Sequence, residues 1–416
     1  MALLFVLALL PRLALVLSFP PDDMKFSDRH YIEYARNFAE GRGFYGGNPY
    51  GGGGPERVYA FRPPLFPLVW ALTYRVTGGA YTPLRLVFAF LSALGGVLVY
   101  RLGLRLFRAP AVALVGTIIY AFYPPLIWHG VQLMTEPLFI LFVLATVLFL
   151  LRTYDMGQLV DAVLAGLTWA LATLTRSAFL GFAVVSLGWV LLVVRTDWCR
   201  RVTMAAVFAG AGLLALSPWI VRNAIVLRAF VPTTTDGGHG FYVANHPQVL
   251  RDPYARERGF YMPKPEEWDA ELDLRGAQLS EVEMQQRLYA RALEYLWHHP
   301  GEWARLLWGR FLTFWRFYPR STFVGRTETI IYGISYVPIF FLAVVGWILA
   351  HARLEHYRAK YLLIDLLVGY TAVVHIVFLV MLRYREPLMP FLILFAAYAV
   401  YCLWRWRLGS REGATA

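Results

Sequence analysis

The strongest constraint on this chain is a series of apolar runs, each long enough to cross a bilayer. They fall at 2–19, 83–105, 109–127, 135–152, 159–175, 178–195, 204–221, 329–350, 361–382 and 388–405. A helix needs about 20 apolar residues to span the hydrocarbon core. Only helices and closed barrels satisfy every backbone group there. Runs of this length predict an all-α, polytopic membrane protein of about ten spans, with eleven or twelve within the same reading. The charged fraction agrees, at 16% of 416 residues, against about 25% in soluble domains.

Basic residues set the expected orientation, because Lys and Arg collect in cytoplasmic loops. Arg101, Arg105, Arg108 and Arg152 fall on one side, with the clusters at 195–201, 351–360 and 405–411. The alternate turns, such as 128–134, carry almost none. Both termini are therefore expected in the cytoplasm, with loops 20–81 and 222–328 outside. The same rule accounts for the net charge of +12 without nucleic acid. Cys199 and Cys402 lie beside cytoplasmic Arg-rich ends and imply no disulfide or thiolate metal site. Residues 2–19 lack a basic lead and a small-residue cleavage site, so a retained span is expected rather than a signal peptide.

Both long loops carry helical patterns. Tyr31, Tyr34, Ala35 and Phe38 form one apolar face, and Gly41 and Gly43 end it. A second helix is expected over 64–76. Such helices suit the membrane surface. The glycine-rich 46–54 matches no phosphate loop and reads as a flexible tip. In the second loop, Ser280-Glu281-Val282-Glu283 is a capping box opening a helix to about 298. The aromatic and basic stretch 303–318 is short for a span and is expected at the interface.

Three polar positions stand out against this apolar background. Asp28, after Asp22 and Asp23, could take a proton from a hydroxyl nucleophile; equally, it stands where a helix N-cap belongs. Glu136 opens the fourth run, where a carboxylate is either functional or a helix-start acid favoured by the dipole. Arg176 lies between two apolar runs, where its fork suits a phosphate and snorkelling is the alternative. Arg383 and Arg385 repeat that theme at the last outer turn. Arg12 lies in the first run, either paired with an internal acid or marking a misplaced boundary. His375 reads as a buried polar contact. The sequence shows no zinc helix, Walker loop or serine elbow.

In order, these pieces resemble the GT-C superfamily of integral-membrane glycosyltransferases. The likeness is to the branch holding protein O-mannosyltransferases and aminoarabinose transferases (family 39-like). It rests on Asp28-x-x-Tyr31, Ala35-Arg36-Asn37, Arg62-Pro63-Pro64-Leu65-Phe66-Pro67 and Thr135-Glu136-Pro137-Leu138. Leu174-Thr175-Arg176, Ser217-Pro218-Trp219, Arg222-Asn223, Asn245-His246-Pro247, His299-Pro300 and Arg383-Tyr384-Arg385-Glu386-Pro387 complete it.

The resemblance implies one GT-C transmembrane domain over 1–416 in the plasma (inner) membrane. It implies hexosyl or pentosyl transfer from a polyprenyl-phosphate donor to a protein, lipid or glycan acceptor outside the cytoplasm. Asp28 is the implied base of an inverting displacement, with Glu136 also catalytic. Asp23, Tyr31, Arg62, Arg176, Arg383 and Arg385 are the implied substrate contacts. The chain departs from some relatives by carrying Asp28-Arg29 where they carry Asp-Glu, which leaves Asp23 as the alternative base. The resemblance singles out no definite cofactor, and a divalent ion shared by Asp28 and Glu136 stays open. Few residues follow the last run, so the C-terminal domain of the aminoarabinose enzymes is not expected. The alternative from another class is a transporter or lipid flippase. That would call for mid-membrane polar residues and paired broken helices, whereas the polar residues here gather at span ends.

Overall fold

The computed structural model describes residues 1–19, 29–50, 54–272, 279–319, 325–354 and 358–412. It is helical almost throughout, with one two-residue ribbon among the described residues. Six helices are long and apolar enough to cross a membrane: Tyr81–Phe107, Glu136–Met156, Trp198–Leu227, Arg326–Arg353, Arg358–Val377 and Leu382–Arg407. Ala2–Ser18, Pro110–Phe122, Leu159–Thr175 and Ser177–Val193 are shorter apolar helices. The bundle packs by close backbone approach, as membrane helices do. A Cβ at Gly346 would strike the Phe395 carbonyl, and one at Gly166 would strike that of Phe208.

Three apolar runs are not single helices. The run 109–127 breaks at Tyr123, which is extended, and restarts as Pro124–His129. A residue before proline is pushed out of the α region, which accounts for the break. Over 178–195, a 3-10 turn at Ser177–Phe179 precedes Phe182–Val193. The run 361–382 stops as a helix at Val377, and a 3-10 segment, Leu382–Leu388, leads into the last helix. Each break places polar side chains at the same end of the bundle.

Among the described residues, Arg12 is partnered by a hydroxyl and two carbonyls and not by an acid. It is buried and donates to Ser92 Oγ at 2.7 Å and to the carbonyls of Ala8 at 2.7 Å and Ala121 at 3.2 Å.

The two long loops fold as one cap. Helix Arg29–Ala39 ends at Gly41, whose φ of 77° is left-handed. Gly46–Gly47 pairs antiparallel with Arg57–Val58, so part of the expected flexible tip is ribbon. A side chain at Gly46 would meet the Tyr34 ring. Tyr34, Tyr50, Val58 and Phe61 of the first loop pack with Phe241, Trp268, Met284 and Leu288 of the second. The capping box at Ser280 forms as the sequence requires, opening Glu281–His298.

Glu281 ties the loops together. Its carboxylate accepts from the backbone N–H of Tyr59 at 2.5 Å and of Ala60 at 3.0 Å, and from the Thr235 hydroxyl. Burial lifts its pKa above the ordinary value, and these hydrogen bonds offset that only in part. A raised carboxyl pKa means the folded state binds its proton more tightly than the unfolded chain. Its contribution is therefore full below the unfolded value, about 4.3, and is lost as pH rises through the folded value. We expect the melting temperature of the wild type, relative to Glu281→Gln, to fall as pH is raised across that window. A pH-independent difference would contradict this.

Arg310 fastens the cap to the bundle. It lies on Pro300–Phe314, whose 15 residues fall short of a span. Its Nη1 donates to the carbonyls of Ile376 and Val377, both at 3.1 Å, which the end of helix Arg358–Val377 leaves open. Its Nη2 donates to Asn245 Oδ1 at 3.1 Å and to the Ala244 carbonyl. Arg310→Met strands these buried acceptors and should cost about 3 kcal/mol, measured as a lower melting temperature in detergent with helical content unchanged.

Candidate functional site

The helix Glu136–Met156 runs away from its first residue, and Leu159–Thr175 returns beside it. Thr135 and Glu136 thus meet Arg176, which caps the returning helix in an extended conformation. Arg176 Nε donates to Thr135 Oγ1 at 2.7 Å, and Nη2 to Glu136 Oε1 at 2.5 Å. Arg383, from the 3-10 segment, places its Nε 3.8 Å from the same carboxylate oxygen. The Arg176 guanidinium lies over the Phe139 ring at 5.2 Å and the Tyr384 ring at 5.5 Å. Arg383 also lies 5.5 Å over Tyr384 and contacts Met134 Sδ at 3.6 Å. Aromatic faces hold guanidiniums well.

A second pair stands beside this one. His129, ending the short helix made by the Tyr123 break, places Nδ1 2.6 Å from Glu386 Oε1. The Tyr332 hydroxyl is 3.5 Å from that oxygen and 3.4 Å from that nitrogen. The link between the pairs, 130–135, is non-helical and buried. Five buried polar atoms in this region have no hydrogen-bond partner among the described residues: Gln132 Oε1, Glu136 Oε2, Arg176 Nη1, Arg383 Nε and Glu386 Oε2. Buried polar atoms are nearly always satisfied, so such a concentration calls for an explanation. Guanidinium N–H groups held beside a carboxylate, with one fork nitrogen uncommitted, can receive phosphate oxygens.

The sequence candidates separate in space. Glu136, Arg176 and Arg383 converge. Arg385 turns the other way, donating to the Phe314 carbonyl at 3.2 Å and to that of Arg316, and lying 3.6 Å over the Tyr336 ring. Arg62 sits in the cap, bonded to Asp236 at 3.0 Å and lying 5.5 Å over Tyr31. Tyr31 packs edge-on against Phe66. His375 stacks on Tyr384 at 4.5 Å and meets the Leu379 carbonyl. Asp22, Asp23 and Asp28 lie outside the described residues, including any N-cap role for Asp28. Among the described residues, no group of three His, Cys, Asp or Glu is placed to hold a metal ion.

Sequence reasoning gave no role to His129, Gln132 or Tyr332. For His129 and Gln132 the usable signal was polar side chains inside the apolar stretch 120–139, since such residues are costly in a membrane and usually functional; no such signal marked Tyr332.

Residues 61–221 match the family model described as dolichyl-phosphate-mannose-protein mannosyltransferase. No curated protein sequence matches the chain. Among solved structures, the archaeal oligosaccharyltransferase AglB from Archaeoglobus fulgidus, in complex with an inhibitory peptide and a dolichol-phosphate, matches with TM-score 0.61 and 14% identity. That match covers 99% of this chain and 51% of that one. The Archaeoglobus fulgidus oligosaccharyltransferase tethered to an acceptor peptide matches with TM-score 0.59 and 14% identity, over 97% and 49%. ArnT from Cupriavidus metallidurans bound to undecaprenyl phosphate gives TM-score 0.40 at 14% identity, over 90% and 76%. The chain thus spans about half the length of the oligosaccharyltransferases it matches. In fold over nearly its whole length, and in sequence over residues 61–221, it resembles the GT-C superfamily of integral-membrane glycosyltransferases.

Proposed function

We propose that this chain transfers a sugar from a polyprenyl-phosphate donor to an acceptor hydroxyl at the extracytoplasmic face of the plasma (inner) membrane. The observation that carries the reading is the Arg176–Glu136–Arg383 cluster, with Arg176 Nη1 and Glu136 Oε2 uncommitted at one end of apolar helices. A polyprenyl phosphate keeps its chain in the bilayer and its phosphate at the interface. The cluster meets the charge that grows on that phosphate as the sugar leaves. Glu136 holds both guanidiniums in register through Oε1, so the donors are in place before charge develops. Asp28 removes the proton from the acceptor hydroxyl. That oxygen attacks the anomeric carbon from the face opposite the phosphate, the sugar–phosphate bond breaks, and the configuration inverts. Glu136 thereby acts as counter-charge and positioning group at the leaving side, with Asp28 at the attacking side.

The family match over 61–221 supports the transferase reading, since that segment includes Thr135, Glu136 and Arg176. The test is purified protein in lipid, offered a panel of polyprenyl-phosphate hexoses and pentoses and scored for sugar transfer or release. Turnover of at least one donor is expected. No turnover of any donor, together with donor-independent solute uptake in proteoliposomes, would replace this reading with a transporter.

A further inference from the structure

The cap holds a cavity that the transfer chemistry does not use. Its volume is about 630 Å³, between the segment 242–251, the end of helix Pro265–Glu271 and helix Glu281–His298. Its floor is built and rigid. Asn245 is buried, donating to the Phe241 carbonyl at 2.8 Å while its Oδ1 accepts from Arg310. His246 is buried, stacked on Tyr261 at 4.7 Å and edge-on to Tyr242. The Gln248 N–H donates to His246 Nδ1 at 3.2 Å, so Nε2 carries the proton facing Glu271 at 2.9 Å. Through Arg310 this floor hangs from the end of helix Arg358–Val377, the same strand of chain that continues to Arg383.

The walls decide what fits. The only aliphatic residues in the lining are Pro247, Ala270 and Ala292, and the other apolar surface comes from the tyrosine rings and the stems of polar side chains. The rest consists of planar polar groups, imidazoles and the Tyr242 and Tyr295 rings. Two guanidiniums and two carboxylates face the cavity. Both carboxylates are engaged: Glu271 by His246 and Tyr242, and Glu294 by Arg291 at 3.3 Å. Arg251 is exposed and has no ion-pair partner among the described residues.

We infer that this cavity binds an anionic saccharide. A peptide is usually held by a strand edge or by apolar side-chain pockets, and neither is present in this lining. A sugar presents hydroxyls that match planar amides, imidazoles and carboxylates, and ring faces that match tyrosines. Its acidic group then meets Arg251, whose fork suits a carboxylate or a phosphate oxygen pair. If the chain is the transferase proposed above, the cavity holds part of a glycan acceptor, and that link alone rests on the transferase reading.

The test uses the full chain in nanodiscs without donor, so binding is measured independently of transfer. Isothermal titration with trigalacturonate, glucose 1-phosphate, maltotriose and a hexaglutamate peptide separates the sources. Trigalacturonate or the sugar phosphate should bind at least about tenfold tighter than maltotriose. Arg251→Glu should remove that preference, a loss of about tenfold or more for one charge-assisted pair. Arg251→Lys should retain part of it, and both exposed-site variants should melt as the wild type does. Equal affinity for maltotriose, an unaffected Arg251→Glu, or hexaglutamate binding as tightly through Arg251 would each overturn the inference.

Discussion

Under the proposed mechanism, Asp28→Asn should lower sugar transfer about 10²–10⁴-fold, the range for loss of a general base. Expression, membrane insertion and melting temperature should stay close to wild type. The amide keeps an oxygen able to cap the helix Arg29–Ala39, so this substitution separates proton removal from capping. Asp28→Ser sharpens the distinction, because serine caps well and is no base at neutral pH. If both variants are inactive and stable, Asp28 acts in the chemistry. If Asp28→Asn transfers at full rate, the base moves to Asp23, and Asp23→Asn must then show the loss. Donor affinity, measured by direct binding, should be unchanged in Asp28→Asn, since the proposed mechanism sets the base against the acceptor. A parallel loss of donor binding would instead place Asp28 on the leaving-group side.

Much of the architecture was legible because its physics is one-dimensional. A run of about 20 apolar residues spans a bilayer whatever its neighbours do, and the capping box at Ser280 closes within four residues. Glu136 and Arg176 were legible for a related reason: charges adjoining apolar helices are costly and rarely idle. What was not legible is pairing across the chain. Nothing in the spacing says that Glu281 answers the backbone of Tyr59 and Ala60, more than two hundred residues earlier. Arg383 and Arg385 look equivalent two residues apart, yet the 3-10 segment turns one towards Glu136 and the other towards the Phe314 and Arg316 carbonyls. The break at Tyr123-Pro124 had a local cause, but its effect, bringing His129 to Glu386, depends on the last helix.

That divergence of two neighbouring arginines yields the second large effect. Arg176→Ala removes the 2.5 Å contact to Glu136 and the uncommitted Nη1 together. Under the proposed mechanism it should reduce kcat/KM for the donor about 10²–10³-fold, as when one preorganised donor to a developing charge is lost. Arg383→Ala should fall in the same direction. Arg176→Lys should recover little, because an ammonium cannot reach Thr135, Glu136 and a phosphate oxygen with one planar fork. Glu136→Gln should lower the rate by letting the guanidiniums relax, and the double variant with Arg176→Ala should cost far less than the two losses multiplied, because the residues act as a unit. Arg385→Ala is the control. It should lower the melting temperature by releasing the Phe314 and Arg316 carbonyls, while each folded molecule keeps nearly its full turnover. An Arg176→Ala enzyme with unchanged kcat/KM, or an Arg385→Ala enzyme that melts normally but turns over a hundredfold more slowly, would move the phosphate from the Glu136 cluster to the other arginine.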